Sequence, residues 1–313
     1  MTPALPDIDG ETLMAQVNIA ALLALSSALC IALGDVLQQR AAHCVADRAV
    51  GSVELFAGLL RNQRWWWGAL LLVASIALQA AALGEGSVLL VQALLMSSVL
   101  FALPINARFL HRTVTGGEWV WAALLTAAVI VFVTVGNPQA GHTGASLRTW
   151  AAVAAVLGPL LVGCVIVGRI WGGAAAAALF AFASGALWGV FAVLAKEVVA
   201  RLGDGAGAVT RTPELYACIL VALGGVAWSQ SAFRAGPLTA SMPTLQMSQP
   251  VVAAVLGVVV LGETLNTGRA GTIALVVAAL VMTAAIVKLA RLEAVSTRDR
   301  VEAQLHDGAG SPV

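Results

Sequence analysis

Residues 86–110 read GSVLLVQALLMSSVLFALPINARFL, and residues 236–265 read GPLTASMPTLQMSQPVVAAVLGVVVLGETL. Each is an apolar run longer than the roughly 20 residues that cross a bilayer core as a helix. The first charges appear only near the far ends, at Arg108 and Glu263. Working outward, seven more such runs complete a set of nine: 17–40, 65–83, 87–110, 118–136, 149–168, 173–199, 213–234, 237–262 and 267–290. Residues 49–60 are too short to cross, carry Glu54, and read as a surface or re-entrant piece. Residues beyond about 294 are polar and are expected to be frayed or disordered.

Composition agrees. Of 313 residues, 60% are hydrophobic and 11% charged, with a mean hydropathy of +0.91. A soluble domain is about a quarter charged. So little charge cannot build a water-facing shell, which excludes a soluble globular protein, a disordered chain, a collagen and a disulfide scaffold. The expected fold is an all-α polytopic membrane protein. A net charge of +1 implies no nucleic-acid partner. The four cysteines form no CxxC pair, and His43, His111, His142 and His306 are scattered, so neither metal nor cofactor is expected. The acidic start, MTPALPDIDGE, does not resemble a cleaved signal peptide.

Lys and Arg placement sets the orientation. With the N-terminus outside, the outer ends hold Arg148, Lys196, Arg201, Arg211 and Arg269, and the other 12 of the 17 basic residues lie at inner ends. Lys196 is expected to snorkel to the outer surface. Trp65, Trp66 and Trp67 after Arg64, and Trp119 and Trp121 after Arg112, read as interfacial anchors. The expectation is a multi-pass protein of the cytoplasmic membrane, N-terminus outside and C-terminus inside.

The two opening stretches also resemble each other. Shifting the first half by 151 positions places Gln79 on Gln230, Met96 on Met247, Ser97 on Ser248, Thr113 on Thr264 and Gly117 on Gly268. SSAL at 26–29 falls on SGAL at 184–187 with a slightly different shift. The plan is therefore four crossings, a linker crossing, and four crossings: an outer segment 1–16, a first repeat 17–136, a linker 149–168, a second repeat 173–290 and a cytoplasmic tail 291–313. Five crossings separate equivalent helices, so the second repeat enters from the opposite side. Inverted repeats of this kind build secondary transporters, with the substrate near the midplane between the halves.

Several stretches resemble the drug/metabolite transporter superfamily (EamA-like), and within it the NIPA-like branch: GDVLQQRAA at 34–42, WWWGALLLVASIALQ at 65–79, the two opening stretches, and the LGETL tail at 261–265. The resemblance covers about residues 17–290. It implies a transporter with a substrate cavity among helices one, two, three, six, seven and eight. Its NIPA-like side implies magnesium.

Polar groups inside a bilayer need a reason to be there. Asp35 is read as the one carboxylate well inside a predicted helix, on a face with Gln38 and Gln39. It is read as pairing with Arg40 or an inner-loop Arg, gating or binding substrate, or coupling protons. Gln79 and Gln230 are repeat mates that suit a neutral or zwitterionic solute, or bond between helices. Pro243 and Pro250 loosen the eighth helix beside Gln246 and Gln249, and the third mirrors it with Gln92, Ser97 and Pro104. These are read as cavity-lining. Gly185, Gly189 and Ala192 read as a packing face, with close substrate approach as the alternative. Trp188 either packs or walls a cavity.

No phosphate loop, metal-binding His-Glu helix or nucleophile elbow occurs, so neither ATP-driven transport nor catalysis is expected. The leading reading is a secondary transporter of a small organic solute. A NIPA-like magnesium transporter and a non-transporting accessory protein are the alternatives. The solute and the lipid bilayer are the expected partners; a coupling ion and a homodimer are left open.

Overall fold

The computed structural model describes residues 8–46, 63–109, 114–136, 138–139, 141–142, 144–236, 238–265 and 267–309. The 49–60 segment lies outside them. Among the described residues eleven α-helices follow in order: α1 Ile8–Ala46, α2 Gln63–Glu85, α3 Val88–Leu95, α4 Ser98–Phe109, α5 Gly116–Gly136, α6 Leu147–Trp171, α7 Gly173–Ala200, α8 Ala206–Val209, α9 Pro213–Ala235, α10 Leu238–Leu261 and α11 Arg269–Ala309, with a single 3-10 turn at Arg201–Asp204. A two-stranded antiparallel pair, β1 Pro138–Gln139 and β2 Thr264–Leu265, sets Pro138 against Leu265 and Gln139 against Thr264.

Nine stretches among the described residues are long and apolar enough to cross a membrane, each overlapping a run expected from sequence. The chain is an all-α, multi-pass membrane protein. Local chemistry starts the helices. Glu118 Oε2 accepts from the Thr115 amide (2.8 Å) and hydroxyl (3.0 Å), and Thr115 Oγ1 accepts from the Glu118 amide, a capping box for α5. Ser146 caps α6, and Pro213 opens α9, where its missing N–H costs nothing.

Helix α7 is the hub. Of its apolar window 72% is buried, against 6% for α6, which lies at the edge. It packs on α9, α10, α6 and α2, while α1 packs on α2, α3 and α4. Helix α3 meets α10, and α5 meets α11. The contact of α7 with α10 is set by two glycines. A Cβ on Gly185 would strike Ser248 and the Leu245 carbonyl, and one on Gly189 would lie 2.9 Å from both the Ala253 nitrogen and the Gln249 carbonyl oxygen. The packing reading of this face is the one that the structure supports. Ala20, Ala24 and Ala28 of α1 are likewise fully buried.

Two expectations are corrected. Helix α10 runs unbroken through Pro243 and Pro250. The third crossing is the one that breaks, at Met96 and Ser97 between α3 and α4, a turn or more before Pro104. There the bonding tightens: the Ser97 amide donates to the Leu94 carbonyl (3.0 Å), and the Leu100 amide to that of Ser97 (3.0 Å). At the other end of the chain, α11 continues to Ala309 rather than fraying after 294. Its extension, ARLEAVSTRDRVEAQLHDGA, is rich in Ala, Leu, Glu, Gln and Arg, all strong helix formers, so propensity carries the helix past the apolar span.

Candidate functional site

Helices α3, α5, α10 and α11, with Met96 at the break, line a half-open cavity of about 120 Å³. Leu89, Gln92, Ala93 and Met96 come from the third crossing and Phe132 from α5; Met247, Pro250, Val251 and Ala254 come from α10, and Ala279, Met282 and Thr283 from α11. No lining side chain is ionisable. Gln92 is buried, 3% exposed, and its side-chain nitrogen has no hydrogen-bond partner. Val251 and Thr283 are exposed, so the cavity opens on their side. Met96 and Met247, and Phe132 and Thr283, are pairs related by the 151-residue shift.

Above this cavity, at the end of the bundle where α3 begins, the protein buries three charges. Lys196 of α7 donates to Glu263 Oε1 at 2.7 Å, with the two side chains only 5% and 0% exposed. Glu263 also accepts from the Val88 amide (2.6 Å) and the Leu89 amide (3.0 Å). Ser87 Oγ takes the Leu90 amide, and the Ser87 carbonyl that of Val91. The Val88, Leu89 and Leu90 amides, which the helix cannot satisfy by itself, therefore all have partners, and the Val91 bond is the first of the helix proper. The carboxylate also lies at the positive end of the helix dipole. Gly262, with φ at 65°, turns the chain out of α10 to bring Glu263 there. Gly257 leaves the space: a Cβ on it would sit 3.0 Å from Glu263 Oε2.

Glu197, next to Lys196 and 2% exposed, accepts from the Ala145 amide (2.8 Å) and the Trp150 indole N–H (3.1 Å). The His142 amide donates to the Leu261 carbonyl (2.7 Å), and the β1–β2 pair lies beside it. Residues from the starts of the third and fifth crossings and from the ends of the sixth and eighth thus interlock at one end of the bundle. Lys196 does not snorkel outward. It continues the face of Gly185, Gly189 and Ala192 at helical spacing, so it points into the protein. Nor is Asp35 the sole carboxylate within a crossing: Glu197 lies in the Gly173–Gly203 span and is buried, whereas Asp35 is exposed near the end of the first span.

The other expected site residues scatter. Gln79 is buried with an unpartnered side-chain nitrogen, but its repeat mate Gln230 is exposed, so the two do not form a symmetric pair in the interior. Gln246 buries an unpartnered side-chain oxygen on α10, Gln249 is half-buried there, and Ser97 is buried at the break. None of these lines the cavity. Trp188 stacks edge-on against Phe191 (5.3 Å) and packs over Gly225, away from it. The Gln38 side chain lies outside the described residues. This cavity lies among the third, fourth, eighth and ninth crossings, of which the third and eighth are among the six that the resemblance implied. No group of three His, Cys, Asp or Glu residues gathers among the described residues.

No family model matches the chain, and no solved structure does. An uncharacterized protein of Corynebacterium glutamicum is 35% identical over 281 residues, which cover 87% of this chain and 95% of that relative. The chain belongs to the same family as the corynebacterial protein.

Proposed function

We propose that this protein is a secondary transporter of a small organic solute, of drug/metabolite transporter type, working by alternating access between two inverted four-helix repeats joined by α6. The observation that carries the reading is the cavity lined by repeat mates, Met96 with Met247 and Phe132 with Thr283. A site on the seam between two halves is where an inverted-repeat transporter holds its substrate.

The packing pattern supports it. The contact of α1 with α2 has its counterpart in α7 with α9, and that of α1 with the third crossing in α7 with α10. The third and eighth crossings meet each other, as do the fourth and ninth. A serine bonds a backbone carbonyl of the next helix in each half, one position apart in the overlay: Ser27 to Ser75 (2.8 Å) and Ser184 to Gly225 (2.7 Å). The charged cluster closes one end of the seam, as an occluded end requires. The uncharged lining favours an organic solute over magnesium, which prefers carboxylate and water ligands. With the N-terminus outside, the closed end faces out.

Reconstitution into proteoliposomes tests the reading, with amino acids, nucleosides, lipophilic cations and magnesium offered in turn. Saturable, ATP-independent uptake of an organic solute, abolished when Ala93→Leu and Ala254→Leu fill the cavity, is the expected result. Uptake of magnesium alone, or of nothing, overturns it. Cysteine labelling on a cysteine-free background tests orientation: a cysteine at residue 203 reacts from outside, one at residue 172 only after permeabilisation.

A further inference from the structure

We infer that the buried charges form a gate whose moving part is the corner where α2 turns into α3. On opening, the corner leaves Glu263, Glu263 keeps Lys196, and the break at Met96 and Ser97 is the hinge. The inference rests on the transporter reading for its purpose, and on the bonding at this end of the bundle for its parts.

The bonds come first. Glu197 ties α7 to Ala145 and to Trp150 of the linker helix α6. Lys196 and Glu263 join α7 to the turn after α10, both in the second repeat. Of the bonds that Glu197 and Glu263 make among the described residues, only those to the Val88 and Leu89 amides join the second repeat to the first. An opening between the repeats has to part them. Parting the Lys196–Glu263 pair instead would strand an ammonium 5% exposed on the most buried crossing of the bundle. The two amides lose less, because the water that enters the opening takes the place of the carboxylate.

The room to move comes next. The third crossing is broken halfway along its Val88–Ile105 span. Around the break the Ser97, Val99 and Leu100 amides bond the Leu94, Met96 and Ser97 carbonyls, each three residues back. The regular ladder is interrupted there, so the angle between α3 and α4 can change without rupturing it. At about 1.5 Å per residue Val88 lies roughly 13 Å from the break, and a tilt of roughly 15° carries it about 3 Å. Leu89, Ala93 and Met96 line the half-open cavity, so α3 is not packed solid on that side. At the corner, Gly86 rests on Ala20 of its own repeat. Gly84 meets Val199 of α7, where a Cβ would lie 2.8 Å from the valine Cγ1.

Two measurements test this, one with flux and one without. On a cysteine-free background, Gly84→Cys with Val199→Cys sets two Cβ atoms 4.0 Å apart, within disulfide reach. Oxidation should staple the corner shut and cut solute uptake by at least about tenfold, with recovery on reduction and neither single variant affected. The second measurement reads opening directly. Val91, one turn below Val88, is fully buried, so Val91→Cys reacts with a water-soluble thiol reagent in step with the open fraction. Val88→Pro deletes one of the two amides that Glu263 holds and leaves the Lys196 pair whole. The first position of α3 accepts proline, and Ser87 before it is already extended (φ −74°, ψ 150°). It should speed labelling at position 91 about tenfold, the worth of one charge-assisted hydrogen bond. Labelling of Leu125→Cys, buried in α5, should not change. Lys196→Met removes a bond kept in both states and should alter the rate at position 91 by less than about threefold.

Undiminished uptake by the oxidised pair, no faster labelling at position 91 in Val88→Pro, equal acceleration at position 125, or Lys196→Met acting as strongly as Val88→Pro overturns the inference. Faster labelling confined to position 91, with no solute taken up, overturns the transporter reading and leaves the gate standing; uptake that oxidation does not touch does the reverse.

Discussion

Removing either partner of the Lys196–Glu263 pair should be costly, and unequally so. Lys196→Met strips the charge that Glu263 faces but leaves its carboxylate two backbone donors, at 2.6 and 3.0 Å, and the start of α3. The loss is one charge-assisted hydrogen bond, about 2 kcal/mol. Glu263→Gln is worse. It leaves an ammonium 5% exposed with no carboxylate, and it offers a single acceptor oxygen where Lys196 and two amides compete. An uncompensated buried charge puts the cost at about 4 kcal/mol. The double variant removes the stranded ammonium, so it should cost about 3 kcal/mol, a coupling of roughly 3 kcal/mol between the two sites. Unfolding in mixed micelles by added SDS, followed by tryptophan fluorescence, gives the four stabilities. Lys196→Met as damaging as Glu263→Gln, or effects that add to within about 0.5 kcal/mol, would refute the account of Glu263 as both counter-ion and helix cap.

Other consequences can be checked on the same samples. Gly189→Ala should lower stability by about 1–3 kcal/mol, because the new methyl meets the backbone of α10 at 2.9 Å and neither helix can yield easily. Trp150→Phe should cost about 1–3 kcal/mol by taking a donor from the buried Glu197, with Trp150→His recovering part of it. Ser27→Ala and Ser184→Ala should each cost about 0.6–2 kcal/mol. Lying in separate helix pairs, they should be additive; strong coupling between them would count against two independent halves.

The crossings were legible because lipid imposes a length and an apolar composition on each, and no other fold tolerates GSVLLVQALLMSSVLFALPINARFL. The cavity was legible in part. Gln92 and the Met96–Met247 match both stand out in the sequence, but a repeat match does not say that the two methionines share a cavity wall. The charged end was misread for a specific reason. A lysine near a helix terminus ordinarily snorkels, and end position outweighed the face on which Lys196 stands with Gly185, Gly189 and Ala192. Glu263 was visible only as the tail of LGETL, since its partners, Val88 and Lys196, are far away in sequence. Gln230 illustrates the reverse. An imperfect repeat keeps a residue type while the surroundings that buried its mate are gone.

The cap on α3 bears on how the protein is made. Val88 and the carboxylate that receives its amide are 175 residues apart. At a synthesis rate of about 5–20 residues per second, roughly 9–35 s separate their emergence from the ribosome. Throughout that interval the Val88 and Leu89 amides have only water and lipid headgroups to bond. The early crossings therefore enter the bilayer with one end unfinished. The loop after the eighth crossing is what seals it, so a chain cut just before residue 263 keeps eight crossings and never acquires the closed end.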